Sequence, residues 1–107
     1  MEPLLILTNV PDRPTAEKLA RALVESGAAA CVNVLAACHS IYRWQGELQA
    51  AEEIPLLIKT TTSAYSRLEE IIRSLHPYDL PEIIAVPITN GLPAYLAWVA
   101  QETEEHE

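Results

Sequence analysis

The sequence reads SIYRWQG at residues 40–46, where polar and apolar residues alternate and then give way to a turn signal. Alternation with a period of two is typical of a β-strand, and Gln45-Gly46 is typical of a turn. Beyond the turn, apolar and β-branched residues at 54–62 indicate a further strand, so a long hairpin is predicted. Pro55 must lie at the start of its strand, at an edge or at a bulge, because it cannot donate a hydrogen bond to a neighbouring strand.

Before residues 40–46, the pattern predicts a strand, a helix and then a second strand at 29–35, which continues into residues 40–44 after a short irregular stretch and so belongs to the long hairpin. Residues 4–7 form a short apolar run, and residues 29–35 are also rich in apolar residues. Turn and N-cap residues at 11–15 precede the helix, which ends at Gly27, a residue suited to the position after a helix. The apolar residues at helical spacing are Ala16, Leu19, Ala20, Leu23 and Val24.

After the hairpin, the pattern predicts a helix, a strand and a short terminal helix. The first helix covers residues 65–75 and must stop at His76, because the residue before Pro77 is disfavoured in a helical conformation. Residues 83–88 indicate a strand, and apolar residues between 92 and 99 indicate the last helix. The order β-α-β-β-α-β plus a C-terminal helix predicts an α+β fold of the ferredoxin-like, split βαβ type, with helices on one face of an antiparallel sheet.

The length and the charge of the chain narrow the classes of protein it can belong to. Its 107 residues are expected to form one domain over residues 1–107. No apolar run approaches the roughly 18 to 20 residues that cross a bilayer, so no membrane partner is expected. A formal net charge of −8 repels phosphate backbones, so nucleic acid is not an expected partner either.

The start of the sequence and the cysteines indicate a reducing compartment. The first residues lack the basic segment and the cleavage site of a secretory signal, and we therefore expect a cytoplasmic protein. Cys31 and Cys38 are not spaced as a CxxC pair, which excludes a zinc ribbon and a thioredoxin-type motif. Both are expected to be free thiols.

The predicted hairpin carries Tyr42 and Trp44 near its tip. A two-stranded ribbon that projects from a small sheet is marginally stable by itself, and aromatic rings bury a large area when they are covered. Either the rings pack onto their own domain, or another subunit covers them. The second alternative predicts an oligomer.

Five segments of the sequence resemble the CutA family of divalent-cation tolerance proteins. They are CVN at 31–33, SIYRWQGE at 40–47, EIPLLIKT at 53–60, HPYDLPEI at 76–83 and YLAW at 95–98. The resemblance implies a ferredoxin-like subunit that forms a homotrimer similar to the trimers of PII signalling proteins. It also implies a role in tolerance of copper and other divalent cations, with copper binding and with no enzymatic reaction attached.

His76 and Cys31 are the candidate metal ligands, because copper accepts imidazole and thiolate ligands. In some members of the family that the sequence resembles, a copper site also uses a cysteine after the first strand and a histidine directly before the HPY motif. Thr8 and Leu75 hold those places here, so copper or another divalent cation is expected to bind only weakly. The alternatives are that His76 is a cation near a helix C-terminus and that Cys31 is a small buried hydrophobic residue.

Two further positions could contact metal ions. Cys38 and His39 point to opposite faces if they lie on a strand, so joint chelation would require a turn, and a solvent-facing loop is the alternative. His106 lies among the glutamates of the C-terminal tail and could bind Cu(II) or Ni(II) loosely. Disordered termini commonly carry such residues without a function.

Six polar-tipped or charged residues of these motifs are expected at clefts between subunits. They are Tyr42, Trp44, Lys59, Tyr78, Glu82 and Trp98. They are suited to a small-ligand or ion pocket, as in a PII-like signalling or scaffold module that binds a small effector or a partner protein. The alternative is interface packing, with Lys59 paired to a carboxylate. The sequence contains none of the phosphate-loop, HExxH or GxSxG motifs, so no enzymatic activity is expected, and an enzyme using Lys59 and Glu82 lacks support.

Overall fold

A computed structural model of the protein describes residues 2–104. Five strands and three helices follow one another along this part of the chain, one strand more than predicted, because the predicted second strand is interrupted at residues 35–37 and forms two strands. They are β1 (Pro3–Val10), α1 (Arg13–Glu25), β2 (Cys31–Val34), β3 (Cys38–Trp44), β4 (Glu47–Thr61), α2 (Tyr65–Leu75), β5 (Ile84–Pro87) and α3 (Pro93–Glu102).

The strands form one antiparallel sheet in the order β2-β4-β1-β5, and β3 pairs with the first part of β4. Because β2 and β3 both pair with β4, they together occupy the place of the second strand of a split βαβ unit. The predicted α+β, ferredoxin-like fold is therefore confirmed.

The hairpin extends further than its sequence pattern predicts. The strand β4 begins at Glu47 and not at residue 54, because residues 47–53 pair in register with β3. Residues Gln45 and Gly46 both have positive φ, 50° and 80°, as in the two-residue turns that match the twist of a hairpin. We call β3, this turn and residues 47–53 of β4 the arm.

Pro55 lies at a bulge, which is one of the three predicted placements. The pairing of β2 with β4 ends at Val34 opposite Leu56, and the pairing of β3 begins at Cys38 opposite Glu53. Residues 35–37 therefore stand opposite residues 54 and 55, and one residue is extra.

Arg13 satisfies the hydrogen bond that Pro55 cannot make. The amide of Leu35 donates to the Pro55 carbonyl at 3.0 Å, but Pro55 has no N–H to return to Leu35. The carbonyl of Leu35 instead accepts a hydrogen bond from the Arg13 guanidinium at 3.1 Å. The first residue of α1 therefore joins the sheet at the base of the arm.

The helix α1 ends before Gly27 as predicted, but it begins at Arg13, within the segment 11–15 expected to precede it. The carboxylate of Asp12 accepts a hydrogen bond from the Thr15 amide at 2.8 Å, which is the geometry of an N-cap. At the other end, Gly27 follows the helix with φ of 77°, in the left-handed region that favours glycine.

The core lies between one face of the sheet and the helices α1 and α2. The side chains of β1 alternate between buried and half-buried, as expected for a strand with one face on the core. The largest fully buried apolar residues of this core are Ile6, Val10, Leu19, Leu23, Leu56, Ile58, Leu68 and Ile72.

The other face of the sheet is also apolar, and we call it the open face. Its apolar residues are Leu5, Leu7, Leu57, Ile84 and Val86. The helix α3 lies against one end of this face, where the hydroxyls of Thr103 and Thr61 are 3.2 Å apart. Ile84 and Val86 nevertheless remain 47 % and 40 % exposed. Among residues 2–104 there is no helix with the length and hydropathy of a membrane span.

Candidate functional site

A cleft of about 730 Å³ lies between the arm and the segment that follows α2. We call it the arm cleft. Its lining residues are Asn9, Ser40, Ile41, Tyr42, Trp44, Glu53, Pro77, Tyr78, Asp79, Leu80 and Glu82. This volume lies within the range of small-molecule sites, which is about 300 to 1,000 Å³.

The arm supplies one wall of the cleft. Ser40, Tyr42 and Trp44 share a face of β3, because side chains alternate along a strand. Glu53 lies on the same face of the neighbouring strand, since it is opposite Cys38 in the register. The Glu53 side chain is only 8 % exposed, although it carries a carboxylate.

His76 fixes the opposite wall. Its backbone is extended, with φ of −80° and ψ of 133°, as required of a residue before proline. One ring nitrogen, Nε2, donates to the Asn9 carbonyl at 2.6 Å, and the other, Nδ1, accepts from the Tyr78 amide at 3.2 Å. These two contacts specify a neutral ring with its proton on Nε2.

The two hydrogen bonds of His76 bear on its predicted role as a metal ligand. Both ring nitrogens have a partner, and the residue is 7 % exposed. A metal ion at His76 would have to replace one of the two hydrogen bonds. The helix-terminus alternative also differs from what is seen, since the ring reaches β1 and not the last carbonyls of α2.

Tyr78 links the two walls of the cleft. Its hydroxyl donates to Oε2 of Glu53 at 3.1 Å, and its ring lies 4.7 Å from the ring of His76, measured between centroids. Partial burial, followed by the hydrogen bond and the charge of Glu53, raises the pKa of Tyr78 to about 12. The phenol is therefore protonated at neutral pH and can serve as a hydrogen-bond donor.

Two further carboxylates, those of Asp79 and Glu82, line the same cleft. Oε1 of Glu82 accepts a hydrogen bond from the side-chain amide of Asn9 at 3.2 Å. Within the described part of the chain, no lysine or arginine forms an ion pair with Glu53, Asp79 or Glu82. The arm cleft is therefore a concentration of uncompensated negative charge.

Lys59 and Cys31 form a separate group on the open face. They are opposite each other in the register, and the Lys59 ammonium lies 4.0 Å from the Cys31 sulfur and against Oδ1 of Asn33. Tyr95 of α3 also contacts Cys31, and partial burial together with that contact raises the pKa of Tyr95. Among residues 2–104, Lys59 has an amide oxygen as its partner and not the carboxylate of the packing alternative.

The structure brings four of the six predicted cleft residues together. Tyr42, Trp44, Tyr78 and Glu82 line the arm cleft. Lys59 does not line it, and neither does Trp98, whose ring lies 5.6 Å from that of Tyr95. Asn9, Glu53 and Asp79 also line the cleft and were not predicted. Glu53 and Asp79 lie within the EIPLLIKT and HPYDLPEI segments that resemble the CutA family, whereas no sequence pattern marks Asn9.

The predicted metal ligands are not brought together. Cys31 lies in the register row of Lys59, whereas His76 contacts Asn9 at the other end of β1. Over residues 2–104, no three His, Cys, Asp or Glu side chains are grouped as metal ligands. Cys38 and His39 lie on β3, so they point to opposite faces, and His106 lies outside the described residues.

Replacing His76 should destabilise the protein through its two hydrogen bonds. His76→Leu leaves the Asn9 carbonyl and the Tyr78 amide without their partner, and we expect a loss of about 2 to 4 kcal/mol in the free energy of unfolding. His76→Gln should recover part of this loss, because its amide both donates and accepts. The control His39→Ala, at an exposed position, should stay within about 0.5 kcal/mol in urea unfolding. Equal effects of His76→Leu and the control would contradict this role.

Tyr78 should make stability depend on alkaline pH. A raised tyrosine pKa means that the folded state favours the protonated phenol, so the stabilisation is complete below pH 10 and is lost as the pH rises towards about 12. The free energy of unfolding should therefore fall more steeply over this window for the natural protein than for Tyr78→Phe. Denaturant titrations at a series of pH values measure both slopes, and parallel curves would refute the expectation.

Known proteins of one family match this chain over almost its whole length. Residues 4–102 match the model of the family described as CutA1 divalent ion tolerance protein. The divalent-cation tolerance protein CutA of Thermus thermophilus is 48 % identical over 99 residues, which cover 92 % of this chain and 96 % of that protein. The protein CutA of Homo sapiens is 43 % identical over 94 residues, 88 % of this chain. The chain spans only 52 % of the length of that human relative.

Solved structures give the same result. A divalent cation tolerance protein from Thermus thermophilus superimposes with a TM-score of 0.93 at 46 % identity, covering 95 % of this chain and 99 % of the other. CutA from Xylella fastidiosa superimposes with a TM-score of 0.93 at 43 % identity, covering 97 % and 100 %. A relative from Arabidopsis thaliana is named as chloroplastic, and one from Archaeoglobus fulgidus is named as periplasmic. The extent of these matches shows that the chain belongs to the CutA1 family of divalent ion tolerance proteins.

Proposed function

We propose that this protein is a homotrimer that binds or responds to divalent metal ions, copper among them, and so contributes to divalent-cation tolerance. Residues 1–107 act as a single domain in this proposal, in the cytoplasm, and no catalytic reaction is assigned to it. Membership of the family supports the link to divalent cations. The exposure of the arm and of the open face supports the trimer.

The exposed apolar residues are the observation that carries the trimer. On the arm, Ile41 is 66 % exposed and Leu48 is 72 % exposed. A two-stranded ribbon with such side chains gains stability when another surface covers it. The open face of the same chain offers an apolar surface of this kind.

A second copy of the chain is the occupant that fits both surfaces. If the arm of one copy covers the open face of the next, the contact is heterologous, and such contacts close into a ring when the rotation permits. A ring of three copies leaves every arm and every open face covered. The trimers that the family resemblance implies, similar to those of PII proteins, support a ring of three.

Metal binding in this proposal is weak and is completed between subunits. His76 and Cys31 remain the proposed ligands on each chain, although the described residues of one chain do not group three donors. A neighbouring subunit would supply the remaining donors. Copper fits the imidazole and thiolate chemistry of these two residues.

A PII-like module that binds a small effector is a second candidate function. The arm cleft favours it, because its volume and its mixture of aromatic and polar side chains are typical of a small-molecule site. Both candidates use the trimer, and they differ in what the protein binds.

Sedimentation equilibrium tests the trimer. The protein at micromolar concentration should have three times the 11.8 kDa mass of the chain. Leu48→Glu places a charge on the exposed apolar arm and should shift the mass towards the monomer. Ser66→Glu makes the same charge change on an exposed position of α2 and should keep the natural mass. A natural protein that sediments as a monomer would remove the proposal.

Calorimetric titration with Cu(II), Cu(I) and Zn(II) tests the metal function. We expect saturable binding of at least one ion, weakened about tenfold or more by His76→Ala and by Cys31→Ser. His39→Ala serves as the control, since it removes an exposed imidazole elsewhere. Circular dichroism must first show that each variant is folded. Binding that is absent, or that is unchanged by His76→Ala, contradicts the proposed ligands.

A further inference from the structure

We infer that the arm cleft binds a linear polyamine, an organic cation in which ammonium groups alternate with short apolar linkers. This inference rests on the second candidate function, the binding of a small effector, and gives that effector a chemical class. It does not depend on the metal ligands His76 and Cys31, neither of which lines the cleft.

The negative charge of the cleft is the first argument. Glu53, Asp79 and Glu82 line it, and within residues 2–104 none of them is paired with a lysine or an arginine. A buried carboxylate without a cation is costly, because desolvation penalises the charge. Glu53 is 8 % exposed and accepts a hydrogen bond from the Tyr78 hydroxyl, so a bound cation would supply the opposite charge that no lysine or arginine of residues 2–104 supplies.

The aromatic walls are the second argument. Tyr42, Trp44 and Tyr78 line the same cleft and are 43 %, 40 % and 37 % exposed. Aromatic faces attract ammonium groups through cation–π interactions, and they also cover the apolar carbons between such groups. Carboxylates between aromatic walls therefore match the alternation of charge and hydrocarbon in a polyamine.

The spread of the carboxylates argues against a bare metal ion at this place. A divalent ion needs several oxygen atoms at about 2.0 to 2.6 Å from one point. Glu53 lies on β4, whereas Asp79 and Glu82 lie on the segment after α2, and no three such donors converge over residues 2–104. An extended cation reaches separated carboxylates that a single ion cannot.

The absence of basic side chains argues against an anionic effector. The described lining contains no lysine and no arginine, which recognition of a phosphate group commonly requires. The formal net charge of −8 also repels anions and draws cations towards the protein. Polyamines are therefore favoured over nucleotides.

Titration with spermidine and putrescine, followed by calorimetry and tryptophan fluorescence, tests this inference. Both should bind saturably, and spermidine, with the larger charge, should bind more tightly. Mg²⁺ has the same charge as putrescine, and at matched ionic strength it should not displace either amine. Glu82→Gln and Trp44→Leu should each weaken spermidine about tenfold, which corresponds to about 1.4 kcal/mol. Glu70→Gln removes an exposed carboxylate on α2 and should leave the affinity unchanged.

The possible outcomes separate this inference from the proposed function. A trimer that binds copper but no polyamine overturns the inference alone. Displacement by Mg²⁺ as effective as by putrescine also overturns it, because diffuse charge would then explain the binding. A monomer that binds spermidine with the expected variant pattern supports the inference, since the residues tested all lie on one chain, but it removes the trimer that both candidate functions use.

Discussion

The missing N–H of Pro55 constrains how strand β4 can pair at the point where the sheet continues into the arm. The strand β4 has to serve the sheet with its second half and the arm with its first half, and Pro55 lies between the two. Backbone groups in such a strand must find partners. The extra residue opposite Pro55 and the Arg13 guanidinium on the Leu35 carbonyl solve this problem together. As a result, β4 runs without interruption from the sheet into the arm.

The structure shows which parts of the molecule local sequence patterns can predict. The helices α1 and α2 have apolar residues at helical spacing, and Gly27 and Pro77 mark their C-terminal ends, so these ends follow from the sequence. The first half of β4, residues 47–53, has few β-branched residues and is a strand because β3 pairs with it. The cleft depends on register and on long-range contact: Asn9 reaches Glu82 only because β1 ends beside the segment after α2. The local periodicity of the sequence cannot predict a contact between residues so far apart in the chain.

His76 connects three parts of the structure at once. It ends α2, its ring bonds β1 through Asn9, and its Nδ1 positions Tyr78 beside Glu53. Thr8 and Leu75 stand at the two places where the resemblance implies further metal ligands, and neither has a ligand side chain of that kind. Thr8 is buried with a hydroxyl that has no partner among the described residues, and Leu75 is half-buried and apolar. The chain thus keeps the histidine of the motif and surrounds it with structural contacts.

The pairing of β1 with β4 joins Pro3 to Thr61, whereas the arm closes through a turn of only Gln45 and Gly46. Loop closure costs more entropy for distant residues, and hairpins form within microseconds. Among the strand pairings of a newly made chain, that of the arm can therefore complete its backbone hydrogen bonds soonest. If other copies cover the arm, its apolar side chains are buried only on assembly, after its backbone hydrogen bonds have formed. Protein concentration would then set how long these side chains stay exposed.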